Sequence, residues 1–286
     1  MKALTWHGEL EFAVDGVEFQ CVVGDYSGKT TRDRFMLLKN RAVLEQYAAV
    51  LGTEPPKHIL EFGIFQGGSP ALFTLWFEAE KFVGVDLCQP VAAFDEFCRT
   101  HERGHRIRSF YEVAQTDQAR ITQIVQSEFG DTPLDLIIDD ASHQYDHSRR
   151  TFEIAFPYLR PGGTYVIEDW GWGHWSNYAL PACYARRTSL ALLIMELTML
   201  CASRPDLVSE VRVFPEFAFI RKSPQAPPLR DFSLDGLYLK RNVELVGIER
   251  LNLRGIARLA AQHMMHRVRR RLSRTGTKLQ RALRRR

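Results

Sequence analysis

The sequence predicts an α/β fold: a doubly wound, mostly parallel seven-stranded sheet with an N-terminal hairpin and helix extension and a basic helical C-terminal tail. Three observations predict it. From Lys57 onward, short apolar runs alternate with amphipathic stretches, which is typical of a parallel sheet covered on both faces. Two β-rich runs split by Pro215 follow and predict a closing antiparallel pair. The chain after Arg254 is basic, without a single acid.

The N-terminal extension comprises residues 1–56. Residues 8–23 alternate apolar and polar side chains around Asp15-Gly16, a dipeptide that favours a two-residue hairpin turn. A basic stretch follows at 28–34, and the next apolar residues predict a helix over about 35–51. Pro55-Pro56 then interrupts any regular element.

Residues 57–222 form the predicted sheet domain. Five apolar runs predict its parallel strands at 58–62, 81–87, 106–110, 134–139 and 164–169. Helical periodicity predicts the helices at about 69–80, 90–103, 117–129, 144–159 and 186–202. The segment 209–223 predicts the antiparallel hairpin that completes seven strands. A proline-rich linker with a short β-like extension is expected over 223–253.

Composition excludes several classes of protein. With 45% hydrophobic and 25% charged residues, the chain is neither disordered nor collagen-like. Five cysteines without a CxxC pair predict neither a disulfide framework nor a zinc site, so we expect a reducing, cytoplasmic location. The apolar run 190–202 is too short to span a membrane and contains Glu196, so it predicts a buried helix.

The net charge of +4 hides an uneven distribution. Residues 254–286 hold 12 of the 38 Lys and Arg residues, which leaves 26 against 34 acids, a net of −8, in the rest of the chain. Apolar residues recur in this basic tail at helical spacing. Such a segment can bind an anionic membrane surface, bind nucleic acid or pack on its own acidic body. Charge alone leaves all three open, although the lack of interleaved aromatics disfavours nucleic acid.

The run from Ile59 to Ser69 predicts a ligand-binding loop. A buried strand carries Glu61, and a turn containing Gly63, Gly67 and Gly68 follows it. A helix begins directly after this turn, and its first N–H groups are free to bind an anionic group. Phe65 stands where a dinucleotide motif needs its second glycine, which disfavours a pyrophosphate. The alternative is a tight strand–helix turn without a ligand.

Three further polar residues follow neighbouring strands. Asp86 ends the second strand, where a carboxylate can accept two hydroxyl hydrogen bonds at once. Gln115 and Asp117 begin the helix after the third strand, where a cofactor contact and simple helix capping are both open.

The fourth and fifth predicted strands end in the candidate metal-binding and catalytic residues. The fourth ends in Asp139 and Asp140, with His143 just beyond, and the fifth ends in Glu168 and Asp169. Carboxyl ends of parallel strands meet at one edge of the sheet, so these groups should converge there. Such a cluster of acids is costly unless a cation compensates it, and oxygen donors favour Mg²⁺. The alternatives are helix capping by Asp139, Asp169 and His143, and a solvated Glu168.

These motifs resemble known families. The pattern acid-x-Gly-x-x-x-Gly resembles the first motif of class I S-adenosylmethionine-dependent methyltransferases, which have a Rossmann-like fold. IIDDASH and LRPGGTYVIEDW, within about 57–170, are similar to the metal-dependent sugar O-methyltransferases of macrolide biosynthesis, the mycinamicin and macrocin type. The resemblance implies the cofactor S-adenosylmethionine and Mg²⁺ on Asp140, Glu168 and Asp169. It also implies that His143 is the general base.

The cofactor site implied by the resemblance comprises seven residues: Glu61, Gly63, Gly67, Ser69, Asp86, Gln115 and Asp117. The implied acceptor is a sugar hydroxyl of a glycosylated natural product or, if the tail binds the inner face of the membrane, a lipid-linked sugar. Trp170, Trp172 and Trp175 follow the fifth strand and either close over such an acceptor or pack against the body.

Two other functions stay open. One is a nucleic-acid methyltransferase steered by the tail. That family commonly uses a catalytic lysine, and we expect no lysine beside Asp140 or Asp169. The other is a non-enzymatic membrane-associated module with a degenerate fold, which the intact acid-rich edge disfavours. The sequence leaves open the acceptor's identity and whether the chain forms a homo-oligomer.

Overall fold

The computed structural model describes residues 1–22, 28–174, 187–229 and 231–238, which form two sheets. Strands β1 to β4 make an N-terminal sheet, and strands β5 to β11 make a seven-stranded sheet. The strands of the first are Thr5–Trp6, Glu11–Val14, Val17–Cys21 and Arg34–Leu37. Those of the second are His58–Phe62, Lys81–Val85, Ile107–Phe110, Leu134–Asp139, Leu159–Glu168, Val208–Val213 and Phe217–Lys222.

The large sheet has the predicted doubly wound topology. Its strand order is β10-β11-β9-β8-β5-β6-β7, so the chain starts in the middle, winds to one edge and returns to the other. Strands β5 to β9 pair in parallel, whereas β11 lies antiparallel between β9 and β10. The expected fold class is therefore confirmed, including the closing antiparallel hairpin.

Six α-helices lie within the described residues and are numbered α1 to α6. They span Arg41–Leu51, Gly68–Trp76, Ala92–Thr100, Gln118–Phe129, Tyr145–Ala155 and Ala191–Ser203. Local chemistry explains several of their starts. The side chain of Asn40 accepts a hydrogen bond from the Val43 N–H and caps α1, and that of Asp117 caps α4 through the Arg120 N–H.

The N-terminal extension differs from the expected one at its second element. The hairpin turns at Asp15 and Gly16, both with positive φ, as predicted. The helix predicted over 35–51 is wrong at its start, because residues 34–37 form β4, which pairs in parallel with β3. Three consecutive apolar residues there fit a buried strand as well as a helix, and the helix begins only after its Asn40 cap.

The two faces of the large sheet bury separate apolar clusters. On one face, helices α4, α5 and α6 cover the sheet through residues such as Ile121, Phe152 and Leu197. On the other, α1, α2 and the N-terminal sheet pack together, with Phe12, Tyr47 and Phe73 fully buried. The extension therefore packs on the same face of the sheet as α2, the helix that follows the loop after β5. This arrangement brings N-terminal side chains to the carboxyl edge of the sheet.

Parts of the expected organisation lie outside the described residues. They include the whole basic tail at 254–286 and most of the extension at 223–253; the described residues 223–229 and 231–238 contain no strand. None of the helices described in the structure is long and apolar enough to cross a membrane.

Candidate active site

The loop between β5 and α2 needs its three glycines for contacts with the protein itself. A side chain at Gly63, where φ is +87°, would clash with the backbone carbonyl of Asp140. A side chain at Gly67 would clash with the Phe94 ring, and one at Gly68 with the backbone carbonyl of Met36. The glycines therefore let three other elements approach the loop, in addition to any ligand it receives.

Glu61 is a buried carboxylate beneath this loop. Its Oε2 accepts a hydrogen bond of 2.9 Å from the Ser69 hydroxyl, whereas its Oε1 is buried without a hydrogen-bond partner in the described structure. Burial raises the pKa of Glu61 well above its usual value, against the opposing attraction of Lys39. A ligand N–H or O–H group would satisfy this unpartnered acceptor beneath the loop.

Asp86 supports the loop from the end of β6. Its Oδ2 accepts hydrogen bonds from the backbone N–H groups of Ile64 and Phe65, at 2.8 and 2.9 Å, and its Oδ1 accepts one from Cys88. The carboxylate is 8% exposed. Asp86 thus shapes the backbone of the loop. Its Oδ2 already accepts two hydrogen bonds, whereas its Oδ1 accepts one and keeps a lone pair for a neighbouring ligand.

The N-terminal extension is hydrogen-bonded to Gln66, a residue of the same loop. Its side-chain carbonyl accepts a hydrogen bond from the Thr30 N–H, and its amide donates to the Gly28 carbonyl at 3.1 Å. The Thr30 hydroxyl accepts in turn from the Met36 N–H, at 3.2 Å. These bonds attach residues 28–36 to the tip of the loop.

Gln115 and Asp117 have protein partners in the structure. The Gln115 amide donates to Asp139 Oδ1 at 3.0 Å and to the Thr151 hydroxyl, and its carbonyl accepts from the Ser142 N–H. Asp117 caps α4. Gln115 therefore ties the end of β7 to the end of β8, which orients the segment that carries Asp140 and His143.

A buried lysine lies among the acids at the ends of β8 and β9. Lys39 Nζ donates to Asp140 Oδ2 at 2.9 Å and to Glu168 Oε2 at 2.7 Å, and only 3% of its side chain is exposed. The other oxygen of Glu168 accepts a hydrogen bond from the Tyr47 hydroxyl. The expectation that no lysine accompanies Asp140 is therefore wrong, because the lysine comes from 101 residues away in the chain.

Mutual repulsion and burial shape the protonation of this cluster. Burial raises the pKa of Glu168, and the charge of Asp140 adds to it, while Lys39 and Tyr47 oppose the shift. Burial also raises the pKa of Asp169 to about 8, with Asp140 and Glu168 acting in the same direction. For Lys39, burial would lower the pKa, but Asp140 and Glu168 outweigh it and the pKa is raised. Within the described residues, the single charge of Lys39 faces the three carboxyl groups of Asp140, Glu168 and Asp169.

Asp140, His143 and Asp169 bring one potential ligand atom each within 4.8 Å of one another. His143 Nε2 lies 4.0 Å from Asp140 Oδ1 and 4.0 Å from Asp169 Oδ2. The sequence predicted this meeting of strand ends. It placed Glu168 in the ligand set, whereas in the structure both Glu168 oxygens bind Tyr47 and Lys39.

The backbone at two of these residues is unusual. His143 and Asp169 both adopt φ = +53°, the left-handed region that few non-glycine residues enter. Such conformations cost free energy and tend to cluster at functional sites. Burial lowers the pKa of His143 to about 4, although a hydrogen bond to the Glu168 backbone and the Glu168 charge raise it. The imidazole is thus neutral at neutral pH and can accept a proton.

The two tryptophans described after β9 have different surroundings. The Trp170 indole donates to the Phe214 carbonyl at 2.8 Å, and its ring packs against the apolar core. Trp172 lies over His143, with 4.4 Å between the ring centroids. Trp175 lies outside the described residues. Trp170 therefore anchors the loop, and Trp172 forms a wall of the site.

Sequence reasoning missed Lys39, Tyr47 and Gln66. Neither Lys39 nor Tyr47 belongs to a motif, and both were assigned to a structural helix in the extension. One signal was available: Lys39 ends an apolar run just before the helix cap Asn40, and a lysine buried with such a run needs an acidic partner.

Residues 60–170 match the family described as a methyltransferase domain. A relative from Streptomyces olivaceus, the 8-demethyl-8-(2-methoxy-alpha-L-rhamnosyl)-tetracenomycin-C 3'-O-methyltransferase, is 32% identical over 200 residues, which cover 67% of this chain and 44% of the relative. The L-olivosyl-oleandolide 3-O-methyltransferase of Streptomyces antibioticus is 33% identical over 145 residues, covering 47% of this chain and 34% of the relative. The chain thus spans less than half the length of either relative.

A similar solved structure is the MycE methyltransferase of the mycinamycin biosynthetic pathway, in a complex with Mg and SAH. The TM-score is 0.50 at 23% identity, and the match covers 63% of this chain and 48% of that one. At this identity the likeness concerns the fold.

Proposed function

We propose that the chain, whose residues 60–170 match the methyltransferase domain family, is a Mg²⁺-dependent O-methyltransferase that moves a methyl group from S-adenosylmethionine to a sugar hydroxyl of a glycosylated natural product. The observation that carries the proposal is the meeting of Asp140, Asp169 and His143 beside the glycine loop. The two relatives are named for the O-methylation of glycosylated compounds, which supports this class of acceptor.

The loop after β5 fits S-adenosylmethionine. The buried and unpartnered Oε1 of Glu61 would accept from the amino group of the cofactor, and the first N–H groups of α2 would face its carboxylate. The spare lone pair of Asp86 Oδ1 suits a ribose hydroxyl. When bound, this cofactor supplies an electrophilic sulfonium methyl group. Gln115 and Asp117 remain proposed neighbours of the adenine.

We predict that Gln66→Ala weakens binding of S-adenosylmethionine about tenfold, because two hydrogen bonds that hold the loop in its binding conformation are lost, for roughly 1.4 kcal/mol in total. Titration calorimetry measures the change. Gln123→Ala is the matched control, since Gln123 is exposed on α4 and accepts a hydrogen bond from its helix neighbour Arg120. Equal affinities of the two variants would contradict the role of Gln66.

The acid cluster fits a magnesium ion. Two of its three potential ligands, Asp140 and Asp169, are carboxylates, and carboxylate oxygens are the donors that Mg²⁺ prefers. Asp140 and Asp169 would hold the ion, and Glu168 would join them if it turned from Lys39. When bound, the ion would supply a charge that orients an acceptor diol and stabilises a developing alkoxide. The neutral imidazole of His143 would take the acceptor proton, and Trp172 would stack on the sugar.

The proposal is tested by methyl transfer from labelled S-adenosylmethionine to a panel of rhamnosyl, olivosyl and related glycosides, with and without EDTA. We expect transfer to some of these glycosides that EDTA abolishes and added Mg²⁺ restores. Transfer that survives chelation and desalting would refute the metal requirement. Transfer to nucleic acid but to no glycoside would refute the acceptor class.

The basic tail carries a separate prediction. Residues 254–286 hold 12 cations and no acid, so we expect the full chain to bind anionic vesicles at low salt. Each basic residue near such a surface contributes about 1 kcal/mol, and salt screens the attraction. Vesicle sedimentation at rising NaCl concentration measures it.

Removal of residues 254–286 provides the control for this prediction. The truncated chain should lose vesicle binding and keep its affinity for S-adenosylmethionine. A full-length protein that ignores anionic vesicles at low salt would exclude the membrane role. A truncated chain that fails to fold would show that the apolar side of the tail packs on the acidic body.

A further inference from the structure

Lys39 is a buried cation that binds two of the three carboxylates proposed for magnesium. Its Nζ lies 2.9 Å from Asp140 Oδ2 and 2.7 Å from Glu168 Oε2, and the three side chains are 3%, 20% and 8% exposed. At such low exposure, neither the ammonium nor the carboxylates can rely on water for compensation. The three groups therefore depend on one another when no other cation is present.

The ammonium uses the oxygen atoms that a metal would need. Glu168 has no free oxygen left, because its Oε1 accepts from Tyr47 and its Oε2 from Lys39. Asp140 offers Oδ1 toward His143 and Asp169, but its Oδ2 is held by Lys39. An ion bound by Asp140, Glu168 and Asp169 together would therefore need a Glu168 oxygen that Tyr47 or Lys39 now holds, and in either case it would lie on the two carboxylates that bind the ammonium.

The Lys39 ammonium and a divalent metal ion would compete for the same carboxylates. A divalent ion and an ammonium on the same pair of carboxylates repel each other strongly in a buried site. The ammonium is also a donor with three hydrogens, and it must find other acceptors when it leaves. The negative charge of Glu61 favours the charged form of Lys39, and one oxygen of that carboxylate has no hydrogen-bond partner in the described structure, so Glu61 can attract the displaced ammonium while no cofactor is bound.

We propose that Lys39 is an internal competitor of the divalent cation: its ammonium holds Asp140 and Glu168 together in the metal-free protein, and metal binding displaces it from these carboxylates. The inference rests on the magnesium site of the proposed function. Lys39 thereby keeps the acid-rich edge folded before the metal arrives and sets how tightly the metal binds. The residue acts on the metal through its carboxylate ligands and takes no part in the chemical step.

The test is the affinity of the Lys39→Met variant for Mn²⁺, measured by electron paramagnetic resonance of the free ion. Methionine keeps the length of the lysine stem without its charge. We expect the variant to bind Mn²⁺ roughly 5- to 150-fold more tightly than the natural protein, the usual range for coupling between two bound groups. We also expect its melting temperature to rise more steeply with Mn²⁺ concentration.

Lys222→Met is the matched control. Lys222 is an equally buried lysine of the large sheet, but its Nζ donates to the backbone carbonyls of Phe156, Pro157 and Leu159. This variant loses a buried ammonium far from the acid cluster, so its Mn²⁺ affinity should match that of the natural protein. A gain in affinity that both variants share would be unrelated to competition and would overturn the proposal.

Other outcomes are equally decisive. Equal or weaker Mn²⁺ binding by Lys39→Met would overturn the inference and make Lys39 a fixed support for the ligands. A variant that folds only with Mn²⁺ supports it. If the variant folds under neither condition, a crystal structure of the natural protein with Mn²⁺ decides: Nζ still bonded to both carboxylates overturns the proposal, and Nζ released from either supports it.

The experiment separates this inference from the proposed function. Mn²⁺ binding is read without cofactor, acceptor or turnover. If only Lys39→Met binds Mn²⁺ and the natural protein transfers methyl groups in EDTA, the competition stands and the magnesium requirement of the proposed function fails. If the natural protein binds Mn²⁺ and Lys39→Met shows no gain, the inference fails and the magnesium site remains.

Discussion

Replacing His143 with alanine is expected to lower the rate of methyl transfer by 10²–10⁴-fold, the contribution typical of a positioned general base. The imidazole is nearly buried under Trp172 and neutral at neutral pH, so it can accept the proton that an attacking hydroxyl must lose. The affinities for S-adenosylmethionine and Mn²⁺ should change little. Single-turnover kinetics and two binding titrations measure these quantities.

The metal titration distinguishes the two roles that the geometry offers His143. Its Nε2 is 4.0 Å from an oxygen of Asp140 and from an oxygen of Asp169, so the ring could also act as a metal ligand. A variant that loses Mn²⁺ binding together with turnover would make His143 a ligand and would place the base elsewhere. His147→Ala is a suitable control, because that imidazole is exposed on α5.

Replacing Asp169 with asparagine should weaken Mg²⁺ binding by at least 10- to 100-fold, the loss that follows even from changing the outer partners of a metal ligand. An amide oxygen carries no net charge, so the divalent ion would lose one of the carboxylates that attract it. Methyl transfer at fixed, low Mg²⁺ should fall in parallel and recover partly at high Mg²⁺. Mn²⁺ titration and a Mg²⁺ dependence of the rate provide the two readouts.

Asp146→Asn controls for this change, since Asp146 is an exposed acid in the first turn of α5. It should leave the Mg²⁺ dependence as it is. Binding of S-adenosylmethionine should survive in both variants, because the glycine loop and Asp86 lie at β5 and β6. If Asp169→Asn has the same Mg²⁺ dependence as the natural protein, the metal is held elsewhere or is not required.

The sequence was sufficient for the features that depend on topology. Alternating apolar strands and helices specify a parallel sheet, and in such a sheet the carboxyl ends of neighbouring strands must share one edge. This is why Asp140, His143 and Asp169 could be placed together from their positions after two strands, and why the structure brings them within 4.8 Å. The hairpin at Asp15-Gly16 was equally predictable, because its turn geometry is local.

Secondary-structure boundaries in the extension were less predictable. Residues 34–37 are as apolar as the helix that follows, and periodicity cannot distinguish a short buried strand from a helical turn. Pairing with β3 decides in favour of the strand. Lys39 and Tyr47 follow this strand, and both side chains bind Glu168 of the large sheet.

The sequence by itself determined the fold class, the acid-rich edge and the glycine loop, because each follows from short-range pattern and the geometry of parallel strands. Only the tertiary structure decided that Glu168 binds Lys39 and Tyr47, and that the glycines admit Met36, Phe94 and the Asp140 backbone. Those contacts join elements separated by as many as 129 residues. They depend on how the extension packs over the sheet, and no local pattern encodes that packing.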